Sequence, residues 1–266
     1  MNSFLKNLYI FLILGLLIAP LVVLLGVSFN EPKRLLFPPE GFSLRWYFDL
    51  FREDSWTNAL TNSLIIATCA GLLAVSIALP MAIYVWKRHN FISRILSVLG
   101  VAPFMLPPVI SALGFLIFWI SAGFYGQIGA TIISHAVFLV TLPMVTLSLG
   151  LQSLDRELME AAKTMGAGQL TVFRTVIFPL IRPYMISGFC FAFVLSLNEY
   201  IIAYMVAGIT VETLPIKIFN SLRYGYTPVM ASVAVFFVLL SAFVFGLIAK
   251  FGDLPRLVGA NRNLDK

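Results

Sequence analysis

The sequence predicts an all-α membrane protein with six transmembrane helices. Of its 266 residues, 60% are hydrophobic and 11% are charged, whereas a soluble globular domain carries about 25% charged residues. The mean hydropathy is +0.95, and six apolar runs reach the roughly twenty residues that a helix needs to cross a bilayer. These runs are Leu8 to Phe29, Ala59 to Val85, Ile95 to Ile120, Ile128 to Gly150, Tyr184 to Ala207 and Val229 to Lys250.

A single transmembrane domain is expected over residues 1–266. Its predicted parts are an anchor helix at 8–29, an external loop with an interfacial helix at 30–58, a helical core at 59–250 that includes a polar loop at 151–183, and a tail at 251–266. Most of the 18 Lys and Arg residues fall on one side of the membrane if the N-terminus is cytoplasmic. Cytoplasmic loops carry such an excess, so both termini and the polar loop are predicted to be cytoplasmic.

The charge distribution, the cysteine positions and the motifs of the chain exclude several classes of function. The positive-inside bias accounts for the net charge of +6, so nucleic acid is not an expected partner. Cys69 and Cys190 lie in apolar runs, which indicates neither a disulfide framework nor a metal site. No stretch has the GxxxxGK spacing of a P-loop. A transporter of this kind must therefore use a partner ATPase or an ion gradient.

The external loop contains the aromatic stretch Phe42 to Phe51. Apolar residues recur in it at helical spacing, namely Leu44, Tyr47, Phe48 and Phe51. This pattern favours a short amphipathic helix at the outer interface. An aromatic anchor at headgroup level and a docking surface for an external partner are both compatible with it.

Prolines interrupt the third and fourth runs. They are Pro103, Pro107, Pro108 and Pro143. Each removes a backbone donor that lipid cannot replace, so kinks are expected there, facing neighbouring helices or a water-filled path.

Glu199 is the one acidic residue predicted deep inside a span, in the fifth run. A buried carboxylate costs several kcal/mol in hydrocarbon, so such a residue faces the bundle interior, a cavity or a subunit interface. We interpret Glu199, with Ser196, Asn198 and Tyr200 of the same SLNEY segment, as part of a substrate path. A structural glutamate near the outer end of the helix is the alternative.

The polar loop at 151–183 predicts a helix, a tight turn and a second helix. From Asp155 to Met165 the apolar residues Leu158, Ala161, Ala162 and Met165 form one stripe. The residues Gly166-Ala167-Gly168 then end the helix. A second amphipathic segment is expected from Gln169 to Phe178, ending before Pro179.

The spacing within this loop resembles a family signature. Permease subunits of bacterial ABC importers carry a cytoplasmic EAA motif, followed by three residues, Gly, nine residues and I-x-L-P. The matching residues here are Glu160, Ala161, Ala162, Gly166, Val176, Phe178 and Pro179. The resemblance implies the type I importer fold, and it makes the loop a coupling element that docks on a separate ATPase. It also implies that Glu160 contacts the ATPase, that Ala161 and Ala162 permit close packing, and that Gly166 forms the turn.

The segments SLNEY, LPIKI and YGYTP resemble the spermidine/putrescine branch of that family. The resemblance implies a cationic or zwitterionic amine as solute. Branches that carry 2-aminoethylphosphonate, 4-aminobutyrate, opines or ferric iron remain open, because Asn198 stands where that branch often has a second acidic residue.

The resemblance implies a set of partners in a bacterial inner membrane. They are an ABC ATPase dimer that binds ATP and magnesium, a second permease that makes a heterodimer, and a periplasmic solute-binding protein. No cofactor, metal or catalytic residue is predicted in this chain itself. The rival functions are an ion-gradient carrier that uses Glu199 for protons and a membrane-embedded enzyme.

Overall fold

The computed structural model describes residues 3–208, 210–224 and 227–251, and in these ranges every regular element is helical. The α-helices are α1 (Ser3–Ser28), α2 (Arg45–Arg52), α3 (Asp54–Lys87), α4 (Phe91–Met105), α5 (Pro108–Ala122), α6 (Ile128–Leu139), α7 (Thr141–Gln152), α8 (Arg156–Thr164), α9 (Gln169–Val172), α10 (Phe178–Asn198), α11 (Ile201–Ala207), α12 (Leu214–Tyr224) and α13 (Val229–Phe251). A π turn at Phe173–Ile177 joins α9 to α10. The all-α prediction is confirmed. Beyond Phe251 the predicted tail lies outside the described residues.

The membrane-spanning helices agree in number with the six predicted runs. Four single helices are long and apolar enough to cross a bilayer: Leu5–Ser28, Asp54–Lys87, Gln169–Asn198 and Val229–Gly246. Two bent pairs, α4 with α5 and α6 with α7, pass the same criterion together. Six spans result when each bent pair counts as one.

The third predicted run is two helices that meet at 106°, not one kinked helix. Leu106 and Pro107 are extended at the break, with ψ of 142° and 133°. A proline disfavours helical backbone in the residue before it, so the Pro107-Pro108 pair holds two successive residues extended. Pro108 then begins α5, where its missing N–H costs no hydrogen bond. Two adjacent prolines thus turn the expected kink into a corner.

The fourth predicted run bends by only 43°, between α6 and α7. Pro143 lies in the first turn of α7, where a proline is tolerated. α10 packs closely on this point, because a Cβ at Gly188 would lie 2.7 Å from the Pro143 Cα. Gly188 thus allows the two helices to approach closely.

The predicted boundaries of the fifth membrane helix are wrong at both ends. The helix begins at Gln169 and passes through the π turn and Pro179 without interruption. In the π turn each bond spans five residues, and the Phe178 N–H closes it on the Phe173 carbonyl. Pro179 is therefore at the start of a new turn and does not end the segment. The helix stops at Asn198, so Glu199 lies at a break and not inside a helix.

The described residues form two compact units. The first contains the chain up to Ala59 together with Lys217–Ala242. Buried Asn30 organises its loop: the side chain donates to the Arg34 carbonyl at 2.9 Å and accepts from the Glu40 N–H at 2.8 Å. The Trp46 indole donates to the Asn30 carbonyl at 2.6 Å.

A short helix does occur in the predicted external loop. This helix, α2, buries Trp46 and Leu50, whereas Phe48 and Phe51 are exposed. The apolar spacing in the sequence therefore marks an outward face, and the inward face is made by the residues between.

The second unit, Leu60–Ile216 with the chain from Phe243 on, holds both candidate sites. One buried cluster includes Ala136, Leu139, Ile202 and Val206, and so packs α6 against α11. A second cluster packs α7, α8 and α10 together through Leu147, Leu151, Ala162 and Ile181. The first cluster surrounds the break at Glu199, and the second anchors the polar loop.

Candidate functional site

The loop at 151–183 forms a helical hairpin whose turn is built by local hydrogen bonds. Asp155 caps α8, since its Oδ1 accepts from the Glu157 N–H at 2.9 Å. At the other end Gly166 has φ +82°, and the Ala167 N–H donates to the Ala162 carbonyl at 3.1 Å. This is the bonding of a Schellman turn, which favours glycine because a side chain is strained at positive φ.

The predicted apolar stripe of α8 is divided between two faces. Ala162 is buried in the cluster with Leu151 and Ile181. Leu158, Ala161 and Met165 are exposed, and Met165 keeps 83% of its surface. The two alanines of the motif therefore differ: Ala162 holds the hairpin to its own chain, while Ala161 lies on an outward apolar face.

Glu160 is exposed and lines a groove of about 540 Å³ between α8, α9 and the end of α3. Three residues at and just after the end of α3 line the same groove, namely Lys87, Arg88 and His89. Gln169, Val172 and Ile177 complete it from the second arm of the hairpin. An acidic residue of the motif and a basic tract about seventy residues earlier in the chain thus share one surface.

The last residues of the motif lie where the hairpin enters the membrane helix. Val176 packs partly against the second cluster. Phe178 and Pro179 are exposed at the start of α10. The second arm of the hairpin, from Gln169 on, is the first part of the continuous span Gln169–Asn198.

Glu199 lies in the two-residue break between α10 and α11. Its Oε1 accepts from the Ile202 N–H at 2.9 Å and its Oε2 from the Ala203 N–H at 3.0 Å. These are N–H groups of the first turn of α11, which have no partner within the helix. A carboxylate at this end of a helix is also favoured by the helix dipole. Glu199 therefore caps the N-terminus of α11 from its position in the break.

His135 of α6 lies against this cap. Its Nδ1 is 2.8 Å from the Ser196 Oγ, and its Nε2 is 3.2 Å from the Glu199 Oε2. The Nε2 approach is too bent for a straight hydrogen bond, so the contact is electrostatic. Sequence reasoning missed this grouping, because His135 stands alone in an apolar run. One feature of the sequence could have indicated it: a histidine inside a membrane span is costly, so it is expected to have a polar partner.

Glu199 also lines a cavity of about 470 Å³. The cavity reaches the corner between α4 and α5, where Leu106 and Pro108 line it, and Phe104 and Phe138 add aromatic walls. Two helix breaks, at 106–107 and at 199–200, therefore meet at one cavity. Irregular backbone at membrane depth is tolerated where it lines such a space.

The other residues of the predicted substrate path take different positions. Asn198 and Tyr200 line the cavity with Glu199. The Asn198 side chain donates to the Val194 carbonyl at 2.8 Å, and the Tyr200 ring stacks on Tyr204 with centroids 5.4 Å apart. Ser196 is buried and turned toward His135. Three of the four predicted residues are thus at the cavity.

Comparison with known proteins gives one family. The profile described as "Binding-protein-dependent transport system inner membrane component" matches residues 74–253. The chain is similar to the spermidine/putrescine transport system permease protein PotC of Haemophilus influenzae, with 30% identity over 90% of this chain and 92% of that protein. It is also similar to the putrescine transport system permease protein PotI of Escherichia coli K12, with 34% identity over 90% and 88%.

Solved structures share the fold. A chain of the inward-facing MetNI methionine ABC transporter matches with a TM-score of 0.63 and 17% identity, over 83% of this chain and 100% of that one. A chain of the bacterial alginate ABC transporter, solved in complex with a periplasmic protein bound to alginate pentasaccharide, matches with a TM-score of 0.68 and 14% identity, over 96% and 94%.

Proposed function

This chain belongs to the family of binding-protein-dependent transport system inner membrane components, and on that premise we propose that it carries a small cationic or zwitterionic amine, of polyamine type, into the cytoplasm. The family match and the solved structures confirm the predicted ABC importer permease fold. The protein is a multi-pass component of a bacterial inner membrane, as predicted.

One observation carries the proposed solute: the cavity at the two helix breaks contains a single carboxylate. Among the described residues that line it, Glu199 is the one charged side chain, and most of the others are apolar or aromatic. The Oε1 atom accepts one backbone N–H, which leaves acceptor capacity toward a solute. Aromatic faces beside a carboxylate suit an ammonium group. The names of the relatives, spermidine/putrescine and putrescine permeases, support the same class of solute.

The test is uptake by the complete transporter in proteoliposomes. The chain is reconstituted with the ATPase, the second permease and the binding protein encoded beside it. Radiolabelled putrescine and spermidine are offered. Labelled 2-aminoethylphosphonate, 4-aminobutyrate, an opine and ferric iron are offered separately, and the same four serve unlabelled as competitors. ATP-dependent accumulation of putrescine or spermidine that none of these competitors reduces supports the proposal. Uptake of one of the other solutes, with no uptake of either polyamine, contradicts it.

We further propose that the hairpin of α8 and α9 couples transport to a separate ATPase dimer, which binds ATP and magnesium. Three features support this docking role: an outward apolar face at Leu158, Ala161 and Met165, the exposed Glu160, and the basic groove beside it. Because the hairpin continues into α10, a movement of the docked hairpin would be transmitted along the helix that ends at Glu199. Gly166 sets the hairpin angle, and Val176, Phe178 and Pro179 form its junction with the membrane helix.

We propose two further partners, which membership in this family supports. A periplasmic binding protein would deliver the solute to the outer loops, at 30–58 and at 211–227, and a second permease would complete the path as a heterodimer. The cytoplasmic position of both termini stays a prediction from the distribution of Lys and Arg. Pull-down of the ATPase, the second permease and the binding protein with a tagged chain checks the partners.

A further inference from the structure

The contact between α6 and the break after α10 is built from three polar side chains. His135 has 1% of its side chain exposed, and it bridges Ser196 at 2.8 Å and Glu199 at 3.2 Å. The three residues come from positions separated by 61 and 64 in the chain, so this contact depends on the fold. A buried histidine without a structural need is costly in a span, and here both ring nitrogens face a polar atom.

The two partners determine which ring nitrogen carries the proton. An ionised carboxylate can only accept, so the nitrogen that faces Glu199 is stabilised when it carries hydrogen. Nε2 then holds the proton, and Nδ1 accepts from the Ser196 hydroxyl. A neutral imidazole in this tautomer leaves the group with the single negative charge of Glu199, and its N–H dipole points at the carboxylate.

We propose that His135 is the positioning residue for the solute-facing carboxylate: with Ser196 it fixes the orientation of Glu199 at the cavity. The inference rests on the proposed path through that cavity. Two backbone N–H groups and the imidazole hold the carboxylate from the protein side. The lone pairs of the Glu199 carboxylate that remain free to accept hydrogen bonds then face the cavity before any solute arrives. Such preorganisation lowers the free-energy cost of binding.

The same three residue types form the serine hydrolase triad, but their arrangement here is reversed. In a hydrolase the serine hydroxyl faces the substrate and the carboxylate is the most distant group. Here Glu199 lines the cavity and buried Ser196 does not. The geometry therefore presents a carboxylate to the solute and no nucleophile.

Two substitutions of His135 separate the loss of its polar contact with Glu199 from the loss of its side-chain volume. His135→Leu removes the polar contact to Glu199 and is expected to reduce ATP-dependent amine uptake about tenfold, because leaving a buried charged group without a polar partner costs at least about that factor. His135→Gln keeps an amide N–H within reach of Glu199 and is expected to stay within about threefold of the unmodified protein. Equal loss in both variants would contradict a positioning role.

Ser134→Ala is the matched control on the same helix. It removes the buried bond from the Trp119 indole to the Ser134 Oγ, 2.8 Å long, without touching Glu199. Thermal stability of the purified chain is expected to fall while uptake per inserted chain stays unchanged. A loss of uptake as large as that of His135→Leu would make the effect structural and overturn the proposal.

Combining His135→Leu with Glu199→Gln tests the route of action. If His135 acts through Glu199, the double variant transports as slowly as Glu199→Gln alone, since residues that act as one unit are not additive. A further loss in the double variant overturns the proposal. Impaired Glu199→Gln beside normal His135→Leu overturns this role alone. Normal uptake in Glu199→Gln overturns both this role and the proposed path.

Nitrogen-15 NMR of the histidine-labelled chain in nanodiscs reads the tautomer without any transport. The chain has two histidines, so His89→Gln assigns the signals. Protonation at Nε2 of His135 is expected, with a changed signal in Glu199→Gln. Protonation at Nδ1 alone would overturn the proposal.

Discussion

The hairpin of α8 and α9 and the break at Glu199 are two polar regions of the second unit, and they are built in opposite ways. The hairpin is exposed, and its motif lies within twenty consecutive residues. The break is buried, and its polar partners come from α6 and α10. One region is suited to contact with another protein, and the other is suited to contact with a solute.

The two regions share one element of structure. The helical run Gln169–Asn198 begins in the hairpin and ends at the break. A change in either region can therefore reach the other, but the side chains that matter in each are different. Equivalent substitutions in both regions should separate energy coupling from passage of the solute.

The largest contrast is expected from the same change at the two glutamates. Glu199→Gln removes the charge at the cavity, and uptake of a cationic amine should fall by tenfold or more, since a buried charge-assisted bond contributes about 1.5–3 kcal/mol. Glu160→Gln keeps hydrogen-bonding capacity on an exposed surface, where ion pairs contribute about 0–1 kcal/mol, so uptake should fall by threefold or less. Initial uptake rates at equal inserted protein check both. Similar losses of uptake in the two variants would contradict the distinction between a solute site at Glu199 and a surface contact at Glu160.

A strong effect is also expected at the turn of the hairpin. Gly166 has φ +82° and no neighbour within 4 Å of a Cβ, so a side chain there meets strain but no collision. Gly166→Val should cost about 1–3 kcal/mol in the native turn and reduce both uptake and coupled ATP hydrolysis about tenfold. Gly166→Asn is the control, because asparagine tolerates this backbone region. Equal activity of the two variants would show that the turn conformation is unimportant.

The smallest effects separate the two alanines of the motif. Ala162→Leu overfills the buried cluster around α8 and should lower the stability of the purified chain by about 1–3 kcal/mol. Ala161→Leu adds bulk to an exposed surface, so stability should be unchanged while co-purification of the ATPase falls a few-fold. Thermal unfolding and pull-down check the pair. Reversed results would place Ala162, and not Ala161, at the docking surface.

Hydropathy predicted the number of spans because burial in lipid constrains whole stretches of about twenty residues. It did not predict their shape. The Pro107-Pro108 pair indicated a kink, but the 106° corner depends on two residues being held extended in succession. Pro179 indicated an end, yet the π turn before it lets the helix continue.

The two candidate sites also differ in how much of each could be predicted from the sequence. The spacing from Glu160 to Pro179 predicted a helix, a turn and a second helix because these are local structures. It did not separate buried Ala162 from exposed Ala161, because burial depends on α7 and α10. Glu199 was identified from its charge alone. Its role as a cap and its contact with His135 needed the packing of α6 against the break, which no local pattern indicates.

The most direct test of the account measures uptake and binding-protein-stimulated ATP hydrolysis in the same proteoliposomes for two variants. Glu199→Gln should lose amine uptake and keep stimulated hydrolysis, because its hairpin is intact. Gly166→Val should lose both, because the ATPase no longer senses the membrane helices. Full uptake by Glu199→Gln, or a parallel loss of uptake and hydrolysis in that variant, would contradict a solute site at the break that is separate from the coupling hairpin.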